Sequence, residues 1–276
     1  MKKNLTRLAA IVLAVAMAFP ASAQIFKGKR GADDFKIGIA GYTYRKFSLD
    51  ETLKMIQQAG VKYMSVKDFH LPFNSTVEQM NAFKAKCAEY GVDPYILGPI
   101  NMRNEKEADE AFDYAQRYGA TMFIGVPDYE LLPYVEKKIR ETGIKVAIHT
   151  HGPDKRIFPE AKDVVEQVKD SGKGIGICLD LGHTVRNGGN NAPDLTKYRE
   201  WIYDIHIKDV SGTTKAGKHV EMGRGIMDYR PILKALRDIG YKGVISLEHE
   251  KDPDNPHPGV LESIGYIRGM ADATGR

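Results

Sequence analysis

Apolar and polar positions along the chain follow two alternating periods. Short apolar runs near 37–42, 62–67, 93–98, 121–126, 144–149, 175–180, 203–208 and 244–248 have the length and β-branched character of strands. Between them, apolar residues recur at helical spacing, as in Leu49, Leu53 and Ile56, then Val77, Met80 and Cys87, and later Ile232, Leu236 and Ile239. Ser48-Leu49-Asp50-Glu51 and Thr76-Val77-Glu78-Gln79 read as capping boxes that start two of these helices. A recurrent punctuation ends them: a helical stretch closes on Gly60, Gly91, Gly119, Gly143, Gly172 or Gly240, and a strand follows at once. The first five glycines are 31, 28, 24 and 29 residues apart, and the last gap of 68 leaves room for two more units. Eight strands with intervening helices and no Pro/Ser-rich hinge predict α/β architecture as a single (β/α)8 TIM barrel over 24–276. A doubly wound open sheet is the alternative.

The first residues follow a different rule. Lys2, Lys3 and Arg7 precede an apolar run from Leu8 to Phe19, and Ala21-Ser22-Ala23 is a small-x-small cleavage site. The run is too short for a membrane span and reads as a signal peptide over 1–23, which predicts a periplasmic or secreted protein without stable membrane insertion after cleavage. Cleavage after Ala23 leaves 253 of the 276 residues and takes the formal charge from +4 to +1, because three basic residues go with the leader. With no basic tract carrying interleaved aromatics, nucleic acid is not an expected partner. Cys87 falls in a helical pattern and Cys178 in a strand, so both read as buried free thiols although export would permit a disulfide.

In a barrel of this kind the carboxyl ends of the strands carry the site. Strand five ends His149-Thr150-His151, strand six runs Asp180-Leu181-Gly182-His183, strand seven His206-Ile207-Lys208-Asp209, and strand eight Ser246-Leu247-Glu248-His249-Glu250. Strand alternation puts His149 with His151, His206 with Lys208, and Ser246 with Glu248 and Glu250 on shared faces. Asp180, His206 and Glu248 can then converge inside the mouth with His149 beside them, a donor set that suits a divalent Mn, Co, Fe or Zn ion. Other strand ends supply substrate contacts: Tyr42 and Tyr44-Arg45 after strand one, and Lys67-Asp68 after strand two, the latter equally readable as a solvated loop pair. Lys208 is a ligand for a hydroxyl or oxyanion, or the ion-pair partner of a strand-end carboxylate. Asn187-Gly188-Gly189-Asn190-Asn191 reads as a flexible loop able to serve as a lid. No Gly-rich phosphate cradle is present.

Four motifs carry a resemblance over essentially all of 24–276: Cys178-Leu179-Asp180-Leu181-Gly182-His183, His206-Ile207-Lys208-Asp209, Glu221-Met222-Gly223-Arg224-Gly225-Ile226-Met227-Asp228, and Gly243-Val244-Ile245-Ser246-Leu247-Glu248. The sequence resembles the sugar phosphate isomerase/epimerase family with the xylose-isomerase-like barrel. The resemblance implies metal ligation by Asp180, His206 and Glu248, a substrate or second-metal contact by His183, and, on a looser match, a substrate-binding Arg224. One position departs from it: epimerases of the group carry Glu-x-His on strand five, where this chain has His149 and keeps His151. An imidazole of ordinary pKa near 6.5 replaces a carboxylate near 4.3, so the two-glutamate proton transfer does not carry over intact.

The expected function is therefore an exported metal-dependent isomerase or epimerase of a free sugar or keto-sugar. Asp180, His206, Glu248 and His149 would hold the ion, Glu248 or His149 would move the proton, and His183, Lys208, His151, Arg224, Lys67 and Tyr42 would bind substrate. A lyase, hydratase or hydrolase of oxidised 3-keto glycosides on the same barrel is one alternative, and a non-catalytic carbohydrate-binding barrel is another. A homo-oligomer is left open.

Overall fold

The computed structural model describes residues 31–153 and 157–275. The leader read over 1–23 lies outside the described residues. Eight parallel strands close into a barrel: β1 Lys36–Ala40, β2 Tyr63–Val66, β3 Asp93–Met102, β4 Met122–Pro127, β5 Lys145–His149, β6 Ile175–Asp180, β7 Ile202–Ile207 and β8 Val244–Leu247. Their order around the barrel is β1-β8-β7-β6-β5-β4-β3-β2, so β8 closes onto β1 through pairs such as Ile37 with Ile245. This is a (β/α)8 barrel and not an open sheet. The helices are α1 Leu49–Gln58, α2 Val77–Glu89, α3 Glu105–Tyr118, α4 Leu132–Thr142, α5 Ala161–Val168, α6 Leu181–Arg186, α7 Asn191–Lys197, α8 Tyr229–Asp238 and α9 His257–Thr274.

Local chemistry sets the boundaries. The Ser48 and Thr76 boxes form as read: each side chain accepts from the backbone three residues on, and Glu51 and Gln79 reach back to the cap N–H at 2.9 and 2.8 Å. Each helix-terminating glycine adopts a left-handed conformation, with φ between +64° and +77°. The main core lies between strands and helices, where Ile39, Leu53, Ile56, Met80, Leu233 and Leu236 are buried. Inside the barrel a small plug of Ile96, Ile124, Ala147 and Cys178 fills the space below the strand ends. Cys87 and Cys178 are both buried free thiols. Among the described residues no helix is long and apolar enough to cross a membrane.

Two segments differ from the sequence reading. A two-stranded antiparallel ribbon, Asp209–Val210 with His219–Val220, extends the end of β7. The stretch read as a loose loop over 187–191 is a tight turn between α6 and α7. Asn187 Nδ2 donates to Pro159 O at 2.9 Å and Asn191 Nδ2 to Leu181 O at 3.0 Å, so two of its side-chain amides tie it to backbone carbonyls.

The loop after β2 buries His70 against Thr52 Oγ1, 3.2 Å from its Nε2. Burial pushes this imidazole down to about 4 from 6.5. The unfolded chain then takes up the proton first, so the folded state loses stability as pH falls from 6.5 to about 4, by about 3 kcal/mol at the bottom of that window. Denaturant midpoints of His70→Gln and wild type should converge across this window as pH falls; parallel curves would refute the assignment.

Candidate metal centre and cleft

Strand register assembles the centre. Asp180, the last residue of β6, pairs with His206 on β7, and Glu248 N donates to Ile207 O just beyond β8. His149 ends β5, one strand further round. Ligand atoms of His149, Asp180, His206 and Glu248 all lie within 4.8 Å of one another, and all four side chains are buried. His149 Nε2 is 3.0 Å from His206 Nδ1 and 3.6 Å from Asp180 Oδ2, while His206 Nδ1 is 3.6 Å from Glu248 Oε1. Two imidazole nitrogens face each other, so they share one N–H or turn two lone pairs on a common cation. Two imidazoles with two carboxylates fit a borderline divalent ion.

Asp180 does two jobs. Its Oδ1 caps α6 by accepting from His183 N at 2.8 Å, while Oδ2 turns inward without an aligned hydrogen bond. Its inward charge is met by Lys208 Nζ, an ion-pair contact at 2.9 Å. The same ammonium reaches Glu248 Oε2 at 2.5 Å and Glu250 Oε1 at 2.6 Å. Gly182 makes this path: a Cβ there would meet Lys208 Cγ at 2.3 Å. Burial alone would discharge Lys208, but Asp180, Glu248 and Glu250 outweigh it and hold it well above the ordinary lysine value. Burial likewise opposes charge on Glu248, and Lys208 with His206 reverses that, holding it well below the carboxylate range. Burial, reinforced by His151 and His206, keeps His149 well below the usual imidazole value. His206 sits above that value because Glu248 and Asp204 outweigh its burial.

Above the centre opens a cleft of about 270 Å³, walled by His151, His183, Tyr42, Lys67, Asn101 and Glu250. That volume is near the lower end of small-molecule sites, roughly 300–1,000 Å³. His183 Nδ1 lies 2.7 Å from Gly152 O; a carbonyl only accepts, so Nδ1 carries the proton and Nε2 is left as the acceptor. His151 stacks close to His149, with ring centroids 4.4 Å apart. Tyr42 is 36% exposed at the rim, under the Arg45 guanidinium. Lys67 lines the cleft, donates to Pro99 O at 2.6 Å and contacts Asp68 at 3.3 Å, the loop pair read from the sequence.

Arg224 is not brought to the cleft. Its guanidinium pairs with Glu262 on α9, with Nη2 at 2.8 Å from Oε2, and its side chain is 63% exposed. The cause is Asp209, whose carboxylate accepts from four backbone N–H groups, those of Val210, Gly223, Gly225 and Met227, at 2.8–3.2 Å. This cradle folds the loop after β7 into a fixed shape that turns Arg224 outward. Asp209→Ala strands those donors and should cost at least about 3 kcal/mol. Urea unfolding checks this, and a loss under about 1 kcal/mol would show that water replaces the carboxylate.

The sequence reading also missed the floor beneath the centre. Tyr95 Oη donates to Asp204 Oδ1 at 3.0 Å and meets Ser246 Oγ at 2.9 Å, with Asp204 Oδ2 3.9 Å from His206 Nε2. Burial raises Asp204 to about 6. The alternation that put His206, Ser246 and Glu248 inward also puts Asp204 inward, which is the signal that could have found it.

A closed parallel barrel with its polar cluster at the strand carboxyl ends defines the class, and comparison defines the family. The xylose isomerase-like TIM barrel family model matches residues 53–270, and the chain belongs to that family. An inosose dehydratase of Klebsiella pneumoniae is 30% identical over 152 residues, which cover 48% of this chain and 50% of that protein. The chain thus spans about half the length of the curated relatives it matches. Among solved structures, the IolI protein with a bound zinc atom superposes with TM-score 0.72 at 17% identity, covering 87% of this chain and 99% of that one. The 3-keto-D-glucoside 4-epimerase of E. coli gives TM-score 0.66 at 15% identity, covering 85% and 99%. At these identities the two structures establish the fold alone.

Proposed function

We propose that this chain is a metal-dependent carbohydrate enzyme that removes a proton beside a sugar carbonyl, with elimination as the main outcome. The observation that carries this reading is the pairing at the centre. Glu248, one of the two carboxylates a two-sided proton transfer would use, is held by Lys208 at 2.5 Å, and its counterpart on β5 is the imidazole His149. A divalent ion held by Asp180, His206 and Glu248 would polarise the carbonyl and stabilise enolate-like charge, leaving the His149 lone pair free. His149, held neutral, is the base on its side of the ring, and His183 offers Nε2 to a hydroxyl. His149 takes the C–H proton from one side, the C–H electron pair forms the double bond as the β-C–O bond breaks, and the imidazolium returns that proton to the departing oxygen, which leaves as water or alcohol without a second carboxylate base. The local similarity to an inosose dehydratase supports a lyase; the fold likeness to a 3-keto-D-glucoside 4-epimerase supports keto-sugar chemistry and keeps isomerase or epimerase as the second reading.

The test combines metal analysis of purified protein, with Asp180→Asn as control, and incubation with keto-sugars and 3-keto glycosides in D2O followed by NMR. One ion per chain, α-C–H exchange and release of water or aglycone are expected. A metal-free wild type would sink the reading. Interconversion of epimers without release would establish the isomerase reading, and binding without exchange the non-catalytic barrel. The proposal includes export: the secreted protein should begin at Gln24 by mass spectrometry, and an intact Met1 would refute that part.

A further inference from the structure

The cleft over the metal centre does not end at one ring. A second cavity of about 300 Å³ adjoins it, and the two share Lys67, Pro99 and Asn101 in their lining. The far wall is built by the start of α3 and the segment before it, through Arg103, Glu107 and Glu110, and by Asp68 and Phe73 from the loop after β2.

The chemistry of the second cavity selects its occupant. Two cations, Lys67 and Arg103, face three carboxylates, those of Asp68, Glu107 and Glu110. Lys106 pairs with Glu110 at 3.8 Å, so the charges around the cavity balance and offer no excess positive charge for phosphate or a uronate, while mixed donors and acceptors match a neutral polyol. Phe73, half-buried and set edge-on to Tyr114 at 4.9 Å, adds an apolar surface of the kind that packs on the C–H face of a sugar ring. Lys67 stands on the boundary with two of its three N–H groups committed to Pro99 O and Asp68, leaving one for a bridging oxygen. We propose that the second cavity is a subsite for a neutral sugar ring linked to the ring over the metal centre, so that the substrate is a disaccharide or larger glycoside and not a free monosaccharide. This rests on the carbohydrate reading of the centre.

Steady-state kinetics of the metal-loaded enzyme on 3-keto-cellobiose and on methyl 3-keto-β-glucoside, with saturation-transfer NMR for binding, test it. The disaccharide should show a KM about tenfold lower, the equivalent of one hydrogen bond to a charged group. The double variant Arg103→Ala/Glu110→Ala should abolish that difference while leaving kcat/KM for the methyl glycoside within about twofold, because both side chains lie outside the first cavity. Equal KM values in wild type, or an equal effect of the double variant on both substrates, overturn the subsite alone. If neither compound binds or reacts, the carbohydrate reading of the centre falls and takes the subsite with it.

Discussion

Lys208→Met is expected to destabilise the metal-depleted protein by about 3–5 kcal/mol and to lower turnover by at least about 100-fold. The ammonium is nearly fully buried and meets three carboxylates within 2.9 Å, those of Asp180, Glu248 and Glu250. A methionine fills the space but leaves these charges facing one another in a low-dielectric mouth, and the penalty for a stranded buried charge exceeds the worth of the pair itself. The stability loss has a built-in control. A divalent ion at Asp180, His206 and Glu248 supplies positive charge to two of the same carboxylates. Saturating Mn or Zn should therefore restore more of the variant's stability than it adds to wild type. Turnover should not recover with it, since Glu248 Oε2 would have lost the partner that fixes its direction. Urea unfolding with chelator and with metal, beside initial rates, reads both parts. Equal metal stabilisation of variant and wild type would show that Lys208 and the ion do not share their carboxylates.

Much of this arrangement was legible because barrel strands convert sequence parity into direction. The helix-terminating glycines fixed the phase of the repeat, and all take the left-handed conformation that makes them stops. Once the strands were placed, parity alone sent Asp180, His206, Glu248 and His149 inward, and the structure brings those four together. Parity does not see contacts made across the mouth. The three carboxylates on Lys208 come from β6 and the end of β8, and only closure of the barrel brings them to one nitrogen. Nor does it see loop shape. Arg224 lay in a matching motif, but the Asp209 cradle aims its loop outward, and nothing in the linear sequence marks Asp209 as an anchor for four backbone amides. Arg103, Glu107 and Glu110 carry no mark in the linear sequence, because their cavity exists only where the loop after β2 folds over them.

His149→Glu is the most informative single change, because it installs the residue type that the epimerase resemblance implies for strand five. The variant is expected to keep the ion and to lose at least about 100-fold of kcat, the lower range of a positioned general base. A third carboxylate beside Asp180 and Glu248 raises the negative charge of the donor set, so metal retention should hold or improve. The base changes more than the ligand does. His149 is neutral, 3.0 Å from His206 Nδ1 and 3.3 Å from His151 Nδ1, so it sits in a row of imidazoles. A carboxylate in its place would be drawn onto the ion beside Asp180 and Glu248 and turn from the sugar. His149→Ala tells the two roles apart, since it should lose rate and keep the ion on Asp180, His206 and Glu248; loss of the ion as well would make His149 a ligand. Metal content by mass spectrometry and kcat on the same preparations decide the matter. Wild-type turnover in His149→Glu would show that the imidazole serves only as a ligand, and the proton would then have to leave through Glu248, against its ion pair with Lys208.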